Sequence, residues 1–204
     1  MNMLIVGKTG SGKTYFLKRL LSKLIKKDDY LIWISNSTLD IDIKNVIEIN
    51  HPNIDFNKLL NKYHQIGIVY GMIDKDELTE NIDRLCSEIW ERRGKKNIYL
   101  VIDEAYEYYS KFQHSKMLER LIRAGRKHRI SIIMSTQQII DLDLTFLKQS
   151  SYLIVFGLSE NNDKYKVAKN LDLDVNQLNS INVANHEYLI KNLRTGEVSI
   201  GKET

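Results

Sequence analysis

Cysteine occurs once in the 204 residues, at Cys86, so no disulfide can close within the chain. Proline also occurs once, at Pro52, which excludes Pro-rich spacers. With no Ser/Gly linker, low-complexity run or internal repeat, a single domain over residues 1–204 is the simplest expectation. No apolar run approaches the ~20 residues that a membrane-spanning helix needs. Nor does a charged-then-apolar leader follow Met1. These absences lead to the expectation of a soluble, intracellular protein. Neither sign of charge dominates: 30 Lys and Arg stand against 26 Asp and Glu, a formal net charge of +4. That balance permits a nucleic-acid partner without arguing for one. His51, His64, His114, His128 and His186 are scattered and show no metal-ligand spacing, which argues against a zinc site.

What the chain does have is alternation. Met3–Val6 is a short apolar run that ends in a glycine-rich loop, after which Phe16, Leu17, Leu20, Leu21, Leu24 and Ile25 recur at helical spacing. Further buried strands are predicted at Tyr30–Ile34, Val46–Ile49, Ile66–Tyr70, Ile98–Ile102, Ile130–Met134 and Tyr152–Phe156. The stretch His51–Gln65 has no readable period. Leu78, Ile82, Leu85, Ile89 and Trp90 form one helical face that stops near Gly94. Met117, Leu118, Leu121 and Ile122 mark another helix ending at Gly125, and Tyr165, Ala168 and Leu171 suggest a short one. Glu187–Ile190 and Glu197–Ile200 flank Arg194–Gly196 as a terminal hairpin. The fold class is therefore α/β: a three-layer sandwich with a largely parallel central sheet and a C-terminal hairpin. Ligands of such sheets bind at the carboxyl ends of the strands.

Gly7-Lys8-Thr9-Gly10-Ser11-Gly12-Lys13-Thr14 matches G-x-x-x-x-G-K-[ST] between a strand and a helix, the pattern of a P-loop NTPase. Glycines let successive backbone N–H groups turn inward onto phosphate oxygens, and the following helix adds its positive end. Lys13 is expected on the β- and γ-phosphates and the Thr14 hydroxyl on Mg²⁺. Lys8 and Thr9 are variable positions with backbone contacts only, and Tyr15 completes the nucleotide-binding segment. Asp103-Glu104 then ends the apolar strand Ile98–Ile102. Asp103 is expected to hold Mg²⁺ through its water shell, and Glu104 to polarise the attacking water as a general base. The bland alternative for the pair is a helix N-terminus, where acids favour the dipole. Strand-end Asp-Glu pairs suit ATPases that activate water better than small-molecule kinases.

Gln137, after the strand Ile130–Met134, is placed to orient that water; otherwise it is a solvated turn residue. Arg123-Ala124-Gly125-Arg126-Lys127-His128-Arg129 admits three readings. It is a solvated basic loop, or a DNA-contacting face made of Lys116, Arg120, Arg123 and Lys127, or an arginine finger. In the last case Arg126, with Arg123 second, reaches a neighbour's γ-phosphate. Tyr106, Tyr108 and Tyr109 follow the acidic pair on a helix as packing and surface residues, and Trp33 and Trp90 are expected in the core.

Taken together, Gly7–Thr14, Ile102-Asp103-Glu104-Ala105-Tyr106-Glu107-Tyr108 and Gly125–Gln137 resemble the FtsK–HerA superfamily of DNA-pumping ATPases. In that family a D-E-A-h-E stretch is followed by a basic G-R segment, a strand and T-Q. The likeness continues through Leu142–Leu171 and is weakest over Ile41–Met72. Where the family often reads T-Q-R-P, this chain has Gln137-Gln138-Ile139. The resemblance implies a RecA/FtsK-like core that uses ATP and Mg²⁺, with Gln137 as sensor and Arg126 in the finger's place. It implies double-stranded DNA as partner and a ring, a hexamer in the family. A bare core of this length is similar to the genome-packaging ATPases of icosahedral viruses with internal membranes. Those imply capsid or membrane-portal partners, and a place in the host cytoplasm or the virion. A HerA-like cellular DNA pump and an ATP-gated assembly or partition switch are the alternatives carried.

Overall fold

The computed structural model describes residues 1–36, 43, 45–50, 54–71, 73–110, 112, 114–137, 142–158, 164–165, 167–169, 173–182, 184 and 186–202. His51, Gln138, Ile139 and Leu171 lie outside them.

Among the described residues, nine strands form one sheet in the order β3-β4-β2-β5-β6-β1-β7-β8-β9. They are β1 (Asn2–Val6), β2 (Tyr30–Ser35), β3 (Val46–Ile49), β4 (Gln65–Tyr70), β5 (Ile98–Ile102), β6 (Ile130–Thr136), β7 (Tyr152–Val155), β8 (Glu187–Asn192) and β9 (Val198–Lys202). Every pairing from β3 across to β7 is parallel, and only the β8–β9 hairpin joins antiparallel. The helices are α1 (Lys13–Leu24), α2 (Phe56–Lys62), α3 (Lys75–Glu91), α4 (Lys116–Ala124), α5 (Leu144–Gln149) and α6 (Val175–Asn179). Lys164, Tyr165 and residues 167–169 are also helical, where the short helix was expected.

The period of two sorts each strand between two cores. Met3 and Ile5 pack with Phe16, Leu17 and Leu21 of α1, together with Trp33, Val101, Ile133 and Ile154. Leu4 and Val6 point the other way, into a larger cluster with Leu85 and Ile89 of α3, Leu118 and Leu121 of α4 and Phe146 of α5. This is the expected three-layer sandwich, with α1 on one face and α3 to α5 on the other. Both tryptophans are buried.

Two short helices, α2 and α5, were not foreseen. Asp55 caps α2 by accepting from the Lys58 amide, and Asp143 caps α5 by accepting from Thr145 N. Tyr106 begins no long helix, since Ala105–Glu107 is a single 3₁₀ turn; Tyr108 and Tyr109 are buried packing residues. Helix α4 ends at Ala124 and passes into a second 3₁₀ turn, Gly125–His128, so Lys127 does not continue its face. Gly125 has an ordinary helical φ of −58°. Glycine stands there for space: a Cβ would meet Ile130 Cβ at 3.1 Å.

Candidate active site

The order β5-β6-β1 brings three strand ends side by side, and each carries part of the expected chemistry. The register pairs Ile102 with Met134 and Val6 with Thr136, so Asp103, Gln137 and Gly7 emerge together at the carboxyl edge. Residues 7–14 begin there. Gly7 N donates to Thr136 O at 3.2 Å, and Lys8 N to Gly157 O at 3.0 Å. A Cβ on Gly7 would fall 2.6 Å from Phe156 Cβ and 2.9 Å from Ser11 Oγ, so the loop leaves the strand through a gap only glycine fits. Gly12, with φ 102°, turns the chain into α1.

Helix α1 is unlike its neighbours. α2 to α6 each have an Asp or Ser side chain accepting from the first turn, whereas α1 has no side-chain cap. Its first amides are left for an incoming anion. Ser11 is 2% exposed and its Oγ has no hydrogen-bond partner. A buried orphan hydroxyl is costly, and a phosphate oxygen would satisfy it.

Lys13 is 7% exposed and folds back on the loop, donating from Nζ to Gly7 O at 2.7 Å and Lys8 O at 3.1 Å. Burial lowers its pKa from the ordinary lysine value, while the negative charges of Glu104 and Asp103 oppose that drop. Thr14 and Tyr15 are exposed beside it, Tyr15 at 55%.

Asp103 Oδ1 accepts from Ser135 Oγ and, at 3.2 Å, from Glu104 N. Ser135 is a buried polar residue to which the sequence assigned no role; it is one of three hydroxyl residues in β6, with Ser131 and Thr136, and only the pairing of β6 with β5 brings it to Asp103. Glu104 takes the left-handed region, φ 49° and ψ 54°, which turns its side chain out of line with Asp103. Its Oε1 accepts from Gln137 Nε2 at 2.6 Å. Gln137 Oε1 in turn accepts from Thr9 Oγ1 at 2.6 Å. A continuous chain thus runs from the loop through the amide to the second acid, and Thr9 has a side-chain role beyond the backbone contacts expected of it.

The arginines are elsewhere. Arg126 sits in the turn before β6, at the amino edge of the sheet, and its charge acts on the Met1 amino group at the foot of β1. It is therefore at the opposite end from residues 7–14 of its own chain. Arg123 is committed to Glu119, with Nε to Oε1 at 2.8 Å and NH2 to Oε1 at 2.7 Å. Arg120 lies over the Trp90 ring at 4.3 Å. Two of the four residues of the basic face weighed for α4 thus make intramolecular contacts.

A Mg²⁺ ion suits the donors present. Thr14 offers a hydroxyl and Asp103 a carboxylate, both hard oxygen donors. Among the described residues no group of three or more His, Cys, Asp or Glu could form an all-protein cage. Mg²⁺ needs none, since it keeps waters and phosphate oxygens in its shell.

Known proteins are similar to this chain. The poxvirus A32 protein family matches residues 1–192. The chain belongs to that family. Protein P9 of Pseudoalteromonas phage PM2 is 24% identical over 192 residues, covering 92% of this chain and 84% of that protein. The DNA packaging ATPase P9 of Enterobacteria phage PRD1 is 25% identical over 179 residues, covering 86% and 72%. Among solved structures, the genome packaging NTPase B204 of Sulfolobus turreted icosahedral virus 2, in complex with ATPγS, superposes with a TM-score of 0.75. There the identity is 18%, and the match covers 99% of this chain and 97% of that one. The A32-family chain thus has the P-loop NTPase fold expected of it. No helix among the described residues is long and apolar enough to cross a membrane.

Proposed function

We propose that this A32-family chain hydrolyses ATP to move double-stranded DNA, and that its task is packaging a viral genome into a preformed capsid. The observation that carries the reading is the Thr9–Gln137–Glu104 chain beside the phosphate loop. It supports the reading because it joins a carboxylate and an amide, the groups that would act on an attacking water, to the phosphate loop. A32-family membership and the packaging names of the relatives point the same way.

On this reading, the Gly7–Thr14 amides and Ser11 Oγ bind the phosphates, and Lys13 leaves its carbonyl partners to lie along the β- and γ-phosphates. Thr14 and Asp103 would hold Mg²⁺, which supplies charge neutralisation across the phosphates when bound. Glu104 takes a proton from a water that Gln137 orients. The water oxygen bonds to the γ-phosphorus as its bond to the β,γ-bridging oxygen breaks. That electron pair stays on ADP, and orthophosphate leaves. Subunits form a ring, hexameric by likeness to the FtsK–HerA superfamily, and Arg126 serves the neighbour's site. The partners are duplex DNA and capsid or membrane-portal proteins, at the virion vertex or in the host cytoplasm.

The test is phosphate release from ATP with and without duplex DNA across a salt series. Turnover should rise with DNA, and the rise should fade steeply with salt as counterions compete. Turnover indifferent to DNA and to added capsid would sink the motor reading, and phosphate passed to an added nucleoside would replace hydrolysis with a kinase.

A further inference from the structure

Asp103, Glu104 and Gln137 follow β5 and β6, which lie on one side of β1, and the phosphate loop follows β1 itself. A triphosphate whose γ end faces those three groups extends its ribose and base away from them, toward β7 and β8 on the other side of β1. Val6 pairs with Val155 and Val155 with Leu189, so His186, three residues before Leu189, lies beyond the same carboxyl edge as Gly7. His186 is exposed, and its ring stands beside the bare Cα of Gly12. A Cβ built on Gly12 would be 3.6 Å from His186 Nδ1 and 3.5 Å from Phe156 Cε1.

The turn that carries His186 is held in place. Glu187 N donates to Asn182 O at 3.2 Å, and Asn182 N donates to Glu187 Oε2 at 3.0 Å. Tyr188, two residues on, packs its buried ring 5.0 Å from both Phe16 of α1 and Phe156. The start of β8 is thus tied to the helix that the phosphate loop opens. His186 itself takes the left-handed region, φ 51°. Ordering a turn and holding a residue with a Cβ in that region both cost free energy. Yet the side chain so fixed is exposed, and among the described residues none forms a hydrogen bond or ion pair with its ring. A planar ring held bare beside a phosphate loop offers its face to another flat group. Tyr15, in the first turn of α1, is a second exposed ring.

We infer that the base of the bound nucleotide stacks on His186, with Tyr15 beside it, so that His186 makes the site prefer a nucleoside triphosphate to a bare polyphosphate. The inference rests on the ATP-binding reading above and adds the base-binding end of that site. Every base has a flat π-face, and stacking on an aromatic ring gains from dispersion and from apolar area removed from water. The base lies far from the bond that breaks, and its contacts are the same before and during the reaction. His186 therefore contributes to nucleotide affinity and not to the chemical step.

Titration calorimetry tests this with a non-hydrolysable ATP analogue and with inorganic tripolyphosphate, on the full chain and on His186→Asn, His186→Phe and Lys13→Ala. Asn tolerates the left-handed region and lacks the ring, whereas Phe keeps a flat ring. His186→Asn should bind the ATP analogue about 5- to 150-fold more weakly and bind tripolyphosphate as the parent does. His186→Phe should recover most of the lost affinity, and both should melt close to the parent because the position is exposed. Lys13→Ala should lose both ligands. With ATP as substrate, His186→Asn should raise KM by the same factor and leave kcat near the parent's. Unchanged affinity for the ATP analogue in His186→Asn would overturn the inference. So would an equal loss of tripolyphosphate, which would make His186 a phosphate ligand. A His186→Phe variant that melts like the parent but binds no better than His186→Asn would overturn it as well. A parent chain that binds neither ligand fails the ATP reading itself, and the inference with it.

Discussion

Glu104 is the place where function and stability pull against each other, and two substitutions separate them. Its backbone is left-handed, φ 49° and ψ 54°, which costs a residue bearing a Cβ about 1–2 kcal/mol. Glu104→Ala keeps the Cβ and therefore the strain. Glu104→Gly removes it, at an entropic cost of about 0.5–1 kcal/mol from the freer unfolded chain. Both variants lose the same carboxylate and the same bond from Gln137 Nε2, so those losses cancel in the comparison. The difference favours glycine by about 0.5–1 kcal/mol, the reverse of the usual order. For a domain of this size that is a melting temperature roughly 1–4 °C higher for Gly than for Ala.

Differential scanning fluorimetry of the two proteins side by side reads this directly. Activity gives the other half: each variant should lose about 10²–10⁴ in turnover as the base is removed. Glu104→Gln is the control, because its amide oxygen can still accept from Gln137. It should bind ATP, melt like the parent and fail to cleave. An Ala variant as stable as the Gly variant would refute the strained backbone, and near-normal turnover in any of the three would move the base elsewhere.

Lys13→Ala should abolish both turnover and ATP binding in a filter-binding assay. Because burial lowers the Lys13 pKa below the usual 10.5, ATP affinity should be flat at neutral pH and fall as pH rises through that depressed value. The folded state binds fewer protons there than the unfolded state, so Lys13 should make nucleotide-free stability rise with pH over the same window. Thr9→Val removes the hydroxyl that reaches Gln137 and should lower kcat by about 3–10-fold, the scale of one hydrogen bond, with ATP affinity little changed. Gly7→Ala should abolish nucleotide binding, since its Cβ would fall 2.6 Å from Phe156 Cβ; calorimetry showing ordinary ATP affinity would contradict the tight exit from β1.

The centre of the parallel sheet was legible because its strands are buried on both faces and read as apolar runs. The expected burial of Val46–Ile49 holds only for Ile49 at its end, since β3 is an edge strand with Val46 and Glu48 exposed. The strand-loop-helix phosphate site was legible because its spacing tolerates few alternatives. Short helices were not. In α2, Phe56, Leu59 and Leu60 show the right spacing behind the Asp55 cap, but seven residues give too little period to count. α5 is shorter still, at six. The single helical face read from Lys116, Arg120, Arg123 and Lys127 needed the helix to run on to Lys127, and it ends at Ala124. Helical spacing says which residues share a side, not what else claims them, and Trp90 and Glu119 were distant or ambiguous partners in sequence. Ser135 went unnoticed because its importance comes from β6 lying beside β5, a neighbour relation that chain order does not reveal.

On the proposed reading, one nucleotide site draws on both ends of the molecule, and β6 joins those ends. Its seven residues span about 23 Å. Gln137 follows its last residue and the Arg126 turn precedes its first. In a parallel strand, a residue just after it stands at the carboxyl edge and one just before it at the amino edge. Gln137 and Arg126, eleven places apart, therefore stand at opposite edges and do not serve the same nucleotide in one chain. β6 is hydrogen-bonded on both sides, to β5 and β1, and buried for nearly its whole length. Such a strand does not stretch. On the proposed reading, the element that carries the water-orienting amide in one subunit also fixes the cation offered to the next. Loss of the γ-phosphate at one end then has a rigid route to the neighbouring site at the other.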